Sequence, residues 1–109
     1  MFNLIRKEMK VNVQSVNFNA DPKLINFIQA RLDKLEHFYD RVIYADVFLK
    51  VQNTSGKENK ITEILLSLPG GEVMVKKTCR KFEECVDECV ASLQRQLTKK
   101  KEKAKVYMS

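Results

Sequence analysis

The side chains with most chemistry to offer are cations. Between Gln94 and Val106 stand Arg95, Lys99, Lys100, Lys101, Lys103 and Lys105, opposed by Glu102 alone, so six positive groups meet one negative and the stretch is +5. Such a surface neutralises phosphates, and each phosphate it neutralises releases condensed counterions. A sparser set, Lys23, Arg31, Lys34 and Arg41, is interleaved with Phe27 and Phe38. Arg can also stack on unpaired bases. The competing reading is plain solvation: a lysine-rich helix end also suits the helix dipole. Spacing alone does not separate the two.

Other chemistries find less support. Cys79, Cys85 and Cys89 make an odd count in a chain with no signal peptide, which points to reduced thiols and not a disulfide framework. Cys85 and Cys89 lie four apart and could share a metal, but zinc sites usually add CxxC pairs or histidines. Cys89 falls within an apolar stripe and Cys85 on its edge, so structural thiols are expected, with no metal and no cofactor. His37, the single histidine, sits on a polar helix face and is expected at the surface. Gly56, Gly70 and Gly71 read as turns, leaving no phosphate-binding glycine loop. Glu83, Glu84, Asp87 and Glu88 resemble paired carboxylates, yet helix spacing and the dipole account for them. No nucleophile–base arrangement stands out, so neither an enzyme nor a small-molecule substrate is expected.

Length and composition bound the scaffold that must position these groups. The chain has 109 residues, 44% of them hydrophobic, enough for one core and one domain. No apolar run approaches the roughly 18 residues that span a bilayer. "MFNLIRKEMKV" is too short and too charged for a signal peptide, so no membrane partner and a cytoplasmic location are expected. A net charge of +6 asks for an acidic partner, of which nucleic acid is the commonest.

The elements follow from periodicity. "MKVNVQSVNF" alternates as a strand, with Val11 and Val13 on one face. Met9 is therefore the expected functional start, with residues 1–8 a flexible extension. Asp21 and Pro22 open a helix as cap and first-turn proline. Leu24, Ile25, Ile28, Leu32, Leu35 and Tyr39 then recur at helical spacing, predicting an end near Tyr39 or Asp40. "VIYADVFLKVQN", "KITEILLSL" and "EVMVKKT" read as strands of an antiparallel meander, broken by "NTSGKEN" and "PGG". In the last element Phe82, Val86, Cys89, Val90, Leu93 and Leu97 form one apolar stripe. Seven residues beyond Leu93 that stripe meets Lys100, so the helix is expected to overhang the sheet. Lys99 and Lys103 flank one side of the overhang and Lys101 and Lys105 the other. The expected fold is α+β, a single β-α-β-β-β-α domain with two helices on one face of a four-stranded sheet. Its domain spans residues 9–105, followed by a tail at 106–109.

Two stretches carry a resemblance. "ARLDKLEHFYDRVIYADVFLKV" resembles the helix–strand signature of the ribosome hibernation promoting factors, also called ribosome-associated inhibitors or sigma-54 modulation proteins, and "RQLTKKKEKAK" resembles their closing helix. The likeness covers residues 9 to about 105, and the element order matches that family's fold, which is related to double-stranded RNA-binding domains. It implies a factor that binds the small ribosomal subunit and its ribosomal RNA in the mRNA/tRNA channel and inhibits translation in stationary phase or stress. The rRNA-binding residues it implies are Lys23, Arg31, Lys34 and Arg41 on the first helix and Arg95, Lys99, Lys100 and Lys103 on the second. The segment before Met9, the acidic start of the last helix and the three cysteines depart from the family pattern. The absence of a second domain before Ser109 resembles the short form. The alternative is a stand-alone double-stranded RNA-binding module that does not act on ribosomes.

Overall fold

The computed structural model describes residues 9–52, 56 and 59–108, with side chains as far as Lys103. The expected extension at residues 1–8 therefore lies outside the described residues. The chain runs β1 (Lys10–Val16), α1 (Pro22–Phe38), β2 (Tyr44–Val51), β3 (Lys60–Leu68), β4 (Gly71–Cys79) and α2 (Phe82–Met108). One four-stranded sheet has the order β1-β2-β3-β4, with β1 parallel to β2 and the other pairs antiparallel.

Register explains how the core is assembled. Val13 lies opposite Val47, Val47 opposite Ile64, and Ile64 opposite Val75, so one row crosses all four strands. Because side chains alternate along a strand, this row and its i±2 neighbours share one face. Ala45, Val47, Leu49, Ile64, Leu66, Val73 and Val75 are buried there, under Leu24, Ile28, Leu32 and Leu35 of α1 and Val86, Leu93 and Leu97 of α2. Both helices thus cover the same sheet face. The other face leaves Tyr44, Phe48 and Met74 exposed.

Local chemistry sets the joints. The Asp21 carboxylate accepts from the Leu24 amide at 2.8 Å and caps α1, and Pro22 occupies the first turn. The β3–β4 turn places Gly70 at φ 81°, the left-handed position that follows proline in a type II turn. The rings of Phe18 and Phe82 stack at 4.9 Å, tying the approach to α1 to the first turn of α2.

Two side chains and one segment depart from their expected places. Ile25 was expected in the apolar stripe of α1 but is 39% exposed, because it stands one residue around from Leu24, which takes the buried position. Cys85 was expected at the edge of the α2 stripe but is fully buried, where its thiol donates to the Lys77 carbonyl at 3.3 Å. The end of β4 reaches under that side of the helix. Residues 106–108, expected as tail, continue α2 to Met108.

Candidate nucleic-acid interface

The two helices lie side by side and run in the same sense. Arg31 meets Asp87, and seven residues further along α1 Phe38 meets Lys101. Between these contacts is a groove of about 420 Å³ lined by Arg31, Lys34, Leu35, Phe38, Val90 and Gln94. Its apolar floor is continuous with the core, since Leu35 is buried and Val90 and Phe38 pack against the same cluster. Its rim carries the cations.

Each cation is held differently. The Arg31 guanidinium stacks over the Phe27 ring, 4.5 Å from its centroid, and donates to the Asp87 carboxylate at 2.7 Å. Both partners are well exposed, so this is a surface ion pair, worth about 0–1 kcal/mol. Lys34 is exposed beside it. Lys101 donates to the Phe38 carbonyl at 3.2 Å and sits over the Phe38 ring at 4.6 Å. It therefore caps one of the carbonyls that the end of α1 would leave unpaired.

The expected rRNA-binding residues fall into three groups. Arg31 and Lys34 line the groove. Lys23, in the first turn of α1, and Arg41, in the turn after it, are exposed at either end of that helix. Arg95, Lys99, Lys100 and Lys103 are exposed along α2. At 100° per residue, Lys99 and Lys103 are turned about 140° and 180° from Gln94, so they do not line the groove. They belong instead to the part of α2 beyond Leu97, the last fully buried leucine of the helix. There the helix presents lysine on every side.

Sequence reasoning missed two participants. Lys101 follows Gln94 by seven residues and so shares its face, yet only the contact with Phe38 distinguishes it from its lysine neighbours. Asp87 was read as dipole chemistry, and its pairing across 56 residues with Arg31 has no local signature. The periodicity that places Gln94 and Lys101 together was readable; which face would meet α1 was not.

Fold and site together define a single-domain α+β protein whose paired helices present a cation-rimmed groove and a basic overhang. The family described as Sigma 54 modulation protein / S30EA ribosomal protein matches residues 11–105, and the chain belongs to it. The Ribosome hibernation promoting factor of Klebsiella oxytoca is 32% identical over 99 residues, covering 91% of this chain and 100% of that relative. The protein of the same name from Escherichia coli K12 is 31% identical over the same length and share. Among solved structures, a ribosomal subunit interface protein from Coxiella burnetii superposes with a TM-score of 0.77 at 18% identity, covering 86% of this chain and 99% of that one. The N-terminal domain of Protein Y from Thermus thermophilus gives 0.70 at 23% identity, covering 84% and 97%. At these identities the structural likeness establishes the fold. No helix among the described residues is long and apolar enough to cross a membrane.

Proposed function

We propose that this protein binds the small ribosomal subunit through ribosomal RNA, in the channel where mRNA and tRNA meet, and inhibits translation in starved or stationary cells. One observation carries the reading: Arg31 and Lys34 line a groove between the two helices, and exposed Lys99, Lys100 and Lys103 stand on the helix end beyond Leu97. Of the lysines there, Lys101 meets Phe38, while Lys99, Lys100 and Lys103 have no ion-pair partner among the described residues, and phosphate supplies one. The family relatives bear the matching name, ribosome hibernation promoting factor.

The mechanism is occlusion without chemistry. Lys23, Arg31, Lys34 and Arg41 engage phosphates along α1. Arg95, Lys99, Lys100 and Lys103 do so along α2, with Lys101 added by its place at the groove. The rigid domain then fills space that mRNA and tRNA require. The cytoplasm is where such a factor meets its target.

The test is a pull-down with intact small subunits and, separately, with naked duplex RNA of matched concentration. Retention on the subunit with much weaker duplex binding is the expected result. Equal retention on both identifies a general double-stranded RNA-binding module and overturns the ribosomal reading.

A further inference from the structure

The acidic start of α2 faces a thiol that the interface does not use. Glu84 and Glu88 are four residues apart on an exposed face, and Cys79 closes β4 directly beside them. The Cys79 sulfur and one carboxylate oxygen from each glutamate all lie within 4.8 Å of one another. Cys79 is only 3% exposed, and its thiol donates to Glu88 Oε2 at 3.6 Å. Neither glutamate forms an ion pair with a described residue. Two carboxylates at (i, i+4) repel, so an arrangement that holds them together without a cation is unfavourable.

We propose that Cys79, Glu84 and Glu88 form a site for a thiophilic divalent cation such as zinc, fastening the end of β4 to the first turns of α2. The geometry suits a tetrahedral ion. With zinc–sulfur near 2.3 Å and zinc–oxygen near 2.1 Å, a tetrahedral sulfur–oxygen pair stands about 3.6 Å apart. Cys79 Sγ and Glu88 Oε2 already have that separation. Glu84 completes three ligands by a small rotation, and the exposed side of the cluster leaves the fourth position to water.

Behind Cys79, Cys85 is fully buried and its thiol donates to the Lys77 carbonyl at 3.3 Å. A divalent cation at the cluster favours the thiolate over the thiol. On binding, the S–H bond breaks, a sulfur–metal bond forms, and the proton passes to buffer.

The experiment uses the full chain, reduced and stripped of metal. Zinc ions are titrated by calorimetry in two buffers of different ionisation enthalpy, and cobalt ions by absorbance. The expected result is one equivalent bound, about one proton released at neutral pH from Cys79, and a sulfur-to-cobalt charge-transfer band. Glu84→Gln with Glu88→Gln touches exposed side chains only, so the fold is retained. It should weaken binding by more than about tenfold, the least that loss of even an outer partner costs. Cys79→Ser should abolish the band, and Cys89→Ala should leave binding unchanged. Absence of binding overturns the proposal. So does binding that both the double glutamate variant and Cys79→Ser leave intact, which marks an adventitious ion only.

Discussion

On the proposed function, Asp87 competes with RNA for Arg31 at the edge of the groove, and removing it should strengthen binding. Its carboxylate holds the Arg31 guanidinium at 2.7 Å, where an incoming phosphate would sit. The side chains are 38% and 52% exposed, so solvent discounts the pair to about 0–1 kcal/mol. A phosphate must displace that contact and then face the carboxylate it displaced. Asp87→Asn keeps the shape, frees Arg31 and removes the repulsion. An energy of about 0.5–1 kcal/mol corresponds to about a two- to fivefold gain in affinity. One further phosphate contact should also steepen the log–log salt dependence by about 0.7–0.9. The assay is equilibrium binding of labelled protein to purified small subunits across a salt series. Glu63→Gln, on the sheet face opposite the helices, controls for the change in net charge. An Asp87→Asn protein that binds no better than the Glu63→Gln control, with an unchanged slope, would refute the role given to Arg31.

Three further outcomes follow from the same structure. Leu93 is fully buried between α2 and the sheet, so Leu93→Ala should cost about 2–5 kcal/mol in urea denaturation, whereas Lys103→Ala should stay within about 0.5 kcal/mol; equal losses would misplace the overhang. Burial, then Cys85, pushes the Cys89 thiol up to about 12 and raises Cys79 as well, so the folded state keeps protons that the unfolded chain releases near pH 8.5. The resulting stability is full below that pH and falls as pH rises past it, by at most about 1.4 kcal/mol per pH unit for each thiol. Unfolding curves at pH 7.5 and 10 should therefore diverge more for the native chain than for Cys79→Ala/Cys89→Ala; equal divergence would count against the buried thiols. A chain beginning at Met9, itself a buried core residue, should fold and bind subunits as the full chain does, checked by melting and cosedimentation.

Much of this architecture was legible because its signals are local. Asp21 and Pro22 announced α1, Pro69 and Gly70 the last hairpin, and the stripe from Phe82 to Leu97 the buried side of α2. The overhang was legible too, because a buried stripe cannot continue through Lys100. What remained hidden depends on how elements meet. Cys85 was placed on an edge because its rotation about the helix says nothing of the β4 end that covers it. Ile25 satisfied the apolar spacing, but Leu24 took the place against the core. The opposing partner of Arg31 stands 56 residues away, so no window of sequence could reveal it. Type and spacing marked the cations proposed for the interface, while Lys101 needed the contact with Phe38 to separate it from its neighbours.

The proposed function requires that the basic overhang and groove recognise ribosomal RNA and thereby stop translation. Replacing Lys99, Lys100 and Lys103 together by Glu tests it most directly, because all three are exposed and lie beyond Leu97. The measurement is inhibition of a cell-free translation reaction over a concentration series, with circular dichroism and melting to verify folding. The expected result is a folded triple variant that no longer inhibits, beside a native chain whose inhibition weakens steeply with salt. If about six cations engage phosphates, the native log–log slope should lie near −4 to −5. A folded triple variant that inhibits at native concentrations would contradict the claim.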